Sequence, residues 1–293
     1  MQLEDVAEGR LADMDAASIT YQVLSTVGPG ADLLSGREAV AFARDTNDRM
    51  AAVVARHPDR FGGFAHLPMS EPEAAAHELE RAVRALGFSG AMVHGLTQGR
   101  FLDHPSFEPL LAQAEALNAP LYIHPGLPPR PVYEAYFAGL PTPADFVLSI
   151  AGWGWHAETA IHVLRLVMSG VLERRRSLRL VVGHMGEGLP AMLARCDKVL
   201  SPLLQRSSGR SLRQTLLEQL WITTSGFFDQ PSFMAALLTF GADRILFSVD
   251  YPFASNAVAQ DFLMRLPVSD ADRSRIAHAN ADRLLGLDRP SIS

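Results

Sequence analysis

The sequence predicts an α/β fold, a (β/α)8 TIM-like barrel, on three observations. Strand-like runs rich in branched and aromatic residues alternate with segments of helical spacing along the whole length, the order that makes parallel strands with crossover helices. Runs such as LRLVV are apolar at nearly every position, as strands covered on both faces are. Polar residues suited to chemistry gather at the C-terminal ends of these runs, the face where parallel barrels carry their active sites. An open doubly wound sheet shares the alternation. No GxGxxG follows the first run, which weakens its dinucleotide-binding version.

The elements follow in order. EDVAEGRLADMDAAS opens the chain as a helix-like segment, and ITYQVLS (19–25) is the first strand-like run. RFGGFAHLP (60–68) is the second. Ser70 then precedes EPEAAAHELERAVRALG, a helix with a serine cap, early acids and a stop at Gly87. SGAMVHG (89–95) and PLYIHP (120–125) are the third and fourth runs. After GWGWHAETA, the residues Ala157, Ile161, Leu164, Met168 and Leu172 recur at steps of three or four and predict a buried helical stripe. LRLVVGHM (178–185), WITTSG (221–226) and ILFSVD (245–250) complete seven runs. A barrel needs eight strands, and a chain opening on a helix that should follow a strand reads as one that lacks its first strand. No repeat or linker divides it, so residues 1–293 are expected to form one N-terminally incomplete barrel domain.

Composition excludes several functions. A formal charge of −6 gives no basic footprint for nucleic acid. No apolar run reaches the roughly 18–20 residues of a membrane span. MQLEDVAEGRLADMDAA lacks the apolar core of a signal peptide. The single cysteine, Cys196, allows no internal disulfide and reads as a small buried hydrophobe. A soluble cytoplasmic protein is expected.

His124 ends PLYIHP, His184 lies in LRLVVGHM, and Asp250 ends ILFSVD. Two imidazoles and a carboxylate on one face suit a divalent cation, Zn, Mn or Mg. Taken singly, a histidine in such a loop is often only solvated, and Asp250 could cap the next helix. His66 and His94 end two earlier runs and read as pocket lining or satisfied packing, while His57, His77 and His104 read as surface residues. In GHMGEGLPAMLARCD (183–197), the glycines permit a sharp turn off the strand and Pro190 suits a first helical turn. Arg195 either grips a substrate carboxylate or pairs with Asp197 or Glu187 at the surface.

Together with ITTSG, ADRILFSVDYPF and ANADRLLGL, these strings resemble the metal-dependent decarboxylase branch of the amidohydrolase superfamily. That branch includes γ-resorcylate, 2,3-dihydroxybenzoate, 5-carboxyvanillate and aminocarboxymuconate-semialdehyde decarboxylases. The resemblance implies a distorted barrel, one divalent metal, a small aromatic carboxylate substrate and a homodimer or homotetramer. It implies that His124 ligates the metal and that Asp250 ligates it and also moves protons. His184 would help hold the substrate, Arg195 would grip its carboxylate or a ring substituent, and Glu187 would support the site from behind. Phe227, Phe228, Trp153, Trp155, Tyr133 and Tyr136 are candidate aromatic walls. The implied activity is nonoxidative decarboxylation of a hydroxylated benzoate with Asp250 as proton donor. The alternatives are a metal-dependent lactone or amide hydrolase and a truncated member with impaired catalysis. The family's first-strand Glu-x-His or His-x-His ligands have no counterpart near the start. A start assigned too far downstream or a shortened chain is expected ahead of a genuine truncation. With His124 and Asp250 alone, a metal would be held weakly.

Overall fold

A computed structural model describes residues 3–204 and 209–287. Seven strands run in chain order through one parallel sheet: β1 Gln22–Leu24, β2 Phe61–His66, β3 Gly90–His94, β4 Leu121–His124, β5 Leu180–Val182, β6 Leu220–Thr223 and β7 Ile245–Leu246. The helices are α1 Glu8–Ala16, α2 Gly36–Arg56, α3 Pro72–Leu86, α4 Glu108–Ala116, α5 Arg130–Tyr136, α6 Ala144–Val147, α7 Gly154–Met168, α8 Val171–Arg174, α9 Leu189–Leu204, α10 Leu212–Gln219, α11 Gln230–Phe240, α12 Asn256–Met264, α13 Asp270–Ser274 and α14 Asn280–Leu285. None of the described helices is long and apolar enough to cross a membrane.

The two-residue period of the strands sorts their side chains into two layers. Ala91, Val93, Leu121, Ile123, Leu180, Val182, Ile222 and Ile245 join the helices in the main core. The alternate residues Phe64, Tyr122, Val181 and Leu246 form a second cluster with Met92, Trp221 and Leu284 of α14. The sheet is therefore curled, with a filled interior and a helical coat. The same period carries His94 and His124 inward, since they follow Met92 and Tyr122 by two residues.

Several ladders end sooner than the runs suggested. WITTSG is a strand only to Thr223, and ILFSVD only to Leu246. Beyond those points the Thr224 hydroxyl donates to the Ser248 carbonyl at 2.7 Å and accepts from the Ser248 N–H at 3.0 Å. These side-chain bonds stand beside the backbone bonds from Thr224 N–H to the Leu246 carbonyl and from Gly226 N–H to the Val249 carbonyl, both 3.1 Å, so the regular ladder gives way there to an irregular one. The helix after Ser70 starts at Pro72 with Glu71 in the cap position, and no side chain caps it. Proline favours the first helical position, which moves the boundary past the serine. Gly87 ends the helix in the left-handed conformation, as expected.

The predicted stripe of α7 is rotated. Thr159, His162, Val163, Leu166 and Val167 are buried, whereas Ile161 is 51% exposed. The inward face includes polar residues that an apolar count passes over. His162 Nε2, for example, accepts the Leu102 N–H at 3.0 Å.

β1 and β7 are the sheet's two edges. Helix α1 and the start of α12 cover the seam between them. Met14, Ile19, Leu24, Phe61, Val249 and Ala259 form an apolar cluster there. A polar line crosses it, with Gln22 Nε2 donating to Asn256 Oδ1 at 3.4 Å and Asn256 Nδ2 donating to Asp13 Oδ2 at 3.1 Å.

Candidate active site

The C-terminal strand ends open into a cavity of about 1150 Å³, whose lining includes His66, His94, His124, Trp155, His184 and Asp250. β3 and β4 set His94 and His124 directly opposite one another. The His124 Nδ1 proton goes to the Pro125 carbonyl at 2.8 Å. Its Nε2 is thereby left as the acceptor, the tautomer a metal ligand requires. Burial lowers the His124 pKa, with the neighbouring His184 acting in the same direction, so the lone pair stays free of a proton. Asp250 adds a partly exposed carboxylate. An unprotonated imidazole and a carboxylate suit a divalent cation of the Zn or Mn kind.

His184 follows β5 on the tight turn after Gly183. It donates through Nδ1 to Glu187 Oε1 at 2.6 Å, and its Nε2 lies 3.8 Å from Asp250 Oδ2, an ion pair longer than a hydrogen bond. Burial alone would lower the His184 pKa. The Asp250 and Glu187 carboxylates overcome that and raise it to about 9. Glu187 is fully buried; burial would raise its pKa, but hydrogen bonds from His156 and His184 hold it below the usual carboxylate range. Ligand atoms of His156, His184 and Glu187 lie within 4.8 Å of one another.

Four non-glycine residues here have left-handed backbone angles: His184 (φ 48°), Met185 (φ 54°), Glu187 (φ 54°) and Asp250 (φ 72°). Such conformations cost about 1–3 kcal/mol each and cluster where a site demands them. Gly186 and Gly188, also at positive φ, let GHMGEG make this turn.

The structure thus brings together His124, His184, Glu187 and Asp250. Arg195 stands elsewhere, exposed on α9 and outside the cavity lining. Of the candidate aromatic walls, Trp155 and Phe227 line the cavity. Trp153 and Tyr136 are exposed, Tyr133 donates its hydroxyl to Asp145 at 2.8 Å, and Phe228 packs on Phe262. His66 and His94 are cavity-lining residues, and His66 Nε2 accepts the Ala31 N–H at 2.9 Å.

Sequence reasoning passed over His156, which forms a short hydrogen bond with Glu187. It begins α7 inside WHAETA, but nothing local ties it to a carboxylate 31 residues on. The only available signal was a histidine in the first turn of a helix whose loop leaves a site-bearing strand.

A curled parallel sheet with imidazoles and a carboxylate at its C-terminal mouth defines a barrel-type enzyme of the metal-assisted kind. The sequence model of the Amidohydrolase family matches residues 3–287, and the chain belongs to that family. It is 37% identical to a γ-resorcylate decarboxylase of Rhodococcus jostii (strain RHA1), covering 98% of this chain and 90% of that one. A crystal structure of 2,6-dihydroxybenzoate decarboxylase complexed with 2,6-dihydroxybenzoate superposes with a TM-score of 0.84 at 36% identity, covering 97% and 89% of the two chains. The dihydroxybenzoic acid decarboxylase of Polaromonas sp. JS666, solved with manganese and 2-nitroresorcinol, gives a TM-score of 0.86 at 35% identity, covering 99% and 88%.

Proposed function

We propose that this protein is a metal-dependent carboxy-lyase that decarboxylates a hydroxylated benzoate of the dihydroxybenzoate class without oxidation. The carrying observation is the meeting of His124, His184 and Asp250 at one cavity mouth, with His184 Nε2 3.8 Å from Asp250 Oδ2. Relatives that act on dihydroxybenzoates support the substrate class.

His124 and Asp250 would hold one divalent cation, Zn, Mn or Mg. When bound, it supplies a positive centre that orients the substrate carboxylate and neighbouring phenol oxygen and polarises the ring. The protein's own groups do the rest. His184, positively charged between two carboxylates, offers its Nε2–H toward Asp250 and the substrate. Phe227 and Trp155 bound the space for the ring and exclude water. Asp250, after taking up the proton of the His184 Nε2–H that faces it, delivers that proton to the ring carbon bearing the carboxylate. The electrons of the breaking carbon–carbon bond return to the ring as carbon dioxide leaves, and aromaticity is restored.

The scaffold is read as a (β/α)8 barrel domain short of one strand among the described residues. We extend the reading to a homodimer or homotetramer. It is supported by Val132, Tyr136, Phe146, Val147 and Trp153, large apolar side chains left exposed along one stretch of chain.

The test is carbon dioxide release from 2,6-dihydroxybenzoate. Asp250→Asn is expected to lower kcat by ~10²–10⁴-fold, the usual contribution of a positioned proton donor. Turnover retained by the variant would remove the proton-transfer role. No carbon dioxide from 2,6-dihydroxybenzoate, with a lactone or amide instead converted in ¹⁸O-water to a carboxylic acid carrying the label, would indicate hydrolysis.

A further inference from the structure

The Glu187 side chain has no exposed surface, and each of its carboxylate oxygens meets a different imidazole. His184 Nδ1 donates to Oε1 at 2.6 Å, and His156 Nδ1 donates to Oε2 in a shorter bond. A carboxylate held by one oxygen can still swing about its last, soft torsion. Held by both oxygens from two directions, it cannot turn without breaking one bond. Glu187 is thus a brace between α7, which carries His156, and the turn after β5, which carries His184. An ionised carboxylate only accepts, so the closeness of the three ligand sets, within 4.8 Å, is that of a hydrogen-bonded clamp.

His184 depends on such a brace. Its Nε2 stands 3.8 Å from Asp250 Oδ2, beyond hydrogen-bond length, so the ring is aimed from its Nδ1 side. The turn beneath it is itself strained, with φ 48° at His184 and 54° at Glu187. Such backbone persists only where its surroundings hold it.

His156 serves as the fixed end because it is anchored independently. Its Nε2 faces the Ala151 carbonyl at 3.2 Å, and the Phe227 ring stands edge-on to it at 5.3 Å. Gly154 opens α7 so close to the preceding turn that a Cβ there would lie 2.1 Å from the Ser149 carbonyl oxygen. The helix start is seated on that turn, and the imidazole with it.

We propose that His156 is a positioning residue for the decarboxylation. It acts through Glu187, locking that carboxylate so that His184 holds its Nε2–H toward Asp250 and the substrate. The proposal rests on the carboxy-lyase reading above and adds the residue that aims its proton. Proton transfer depends on reach and alignment, and His184 and Asp250 do not set these by themselves.

Carbon dioxide release from 2,6-dihydroxybenzoate by His156→Ala, with and without added imidazole, tests this. The His156 side chain lines the cavity and is 13% exposed, so free imidazole can enter the space the substitution leaves. The variant should lose ~10–100-fold in kcat, the usual cost of removing a partner that orients a working histidine. KM should be unchanged, since no ground-state contact with substrate is removed. Imidazole should restore most of the lost kcat by returning an N–H to Glu187. His156→Phe keeps the ring but has no N–H, and it should be as slow and indifferent to imidazole. His156→Asn offers an amide N–H and should fall between His156→Ala and the wild type. Manganese uptake in equilibrium dialysis should match the wild type in all three variants.

Wild-type kcat in His156→Ala or His156→Phe would overturn the role of His156 and leave the carboxy-lyase reading standing. So would a loss that neither imidazole nor His156→Asn relieves, the mark of a merely structural contact, or one matched by weaker manganese binding. A wild type that releases no carbon dioxide overturns both.

Discussion

Asp32 sits in the short turn of helix after β1, and burial pushes its carboxyl up to about 7. Its Oδ1 is buried without a hydrogen-bond partner. The folded state holds this proton more tightly than the unfolded chain, where an aspartate titrates near about 3.9. The stabilising contribution is full below pH ~4 and is lost as pH rises through about 7. Asp32→Asn removes that loss. Melting curves of wild type and variant should keep a constant separation below pH ~4, diverge in the variant's favour between about 4 and 7, and run parallel above. A separation independent of pH would mean the carboxyl is solvated. Sequence could not single out Asp32, because its burial comes from tertiary packing. It could find His124, His184 and Asp250, because each closes an apolar run and strand ends share a face. The contact of His156 with Glu187 depends on a loop returning from elsewhere, which no local pattern encodes.

Among the elements, α2 does more than coat the sheet. Asn47 donates from Nδ2 to the His66 carbonyl at 2.9 Å and to Glu78 Oε1 at 2.7 Å, and accepts the His66 N–H at 2.8 Å. One amide thus ties the end of β2 to α2 and α3. Glu78 is buried and relies on Asn47 and on Arg81, whose Nη2 lies 2.7 Å from it. Asn47→Ala leaves the His66 peptide and part of the Glu78 carboxylate unsatisfied, at about 1–3 kcal/mol for each group. Urea unfolding should show a loss of at least about 2 kcal/mol with an unchanged m-value. A loss below about 0.5 kcal/mol, typical of surface changes, would mean that water replaces the amide. All seven strands were legible as apolar runs in the correct order. Their ends were not, because Thr224 and Ser248 divert the backbone through side-chain hydrogen bonds. The facing of α7 was misread for a related reason: buried His162 and Thr159 are polar and find partners or packing only in the folded chain.

For the whole molecule, the controlling feature is the seam. Elsewhere around the sheet each strand has two hydrogen-bonded neighbours, but β1 and β7 have one apiece. An unpaired edge is held by whatever covers it, and here that is α1 with the start of α12. The count of seven runs against the eight of a closed barrel made the gap legible in sequence. The cover was not, since EDVAEGRLADMDAAS shows a weak apolar face and its contacts come from residues near Val249 and Ala259. The seam should therefore be the least stable part of the sheet. Met14 is its best-buried side chain on α1, with no exposed surface. Truncating it opens a cavity against Ile19, Leu24 and Phe61. Met14→Ala should cost about 2–5 kcal/mol, the range for emptying a buried methionine site. Amide hydrogen exchange should localise that cost. Residues Gln22 to Leu24 should exchange faster in the variant, while Leu121 to Ile123 and Leu180 to Val182, each flanked by two strands, should keep their wild-type protection. Equal acceleration in β1, β4 and β5 would mean that the sheet opens only as one cooperative unit, and that α1 stabilises the whole sheet rather than its edge.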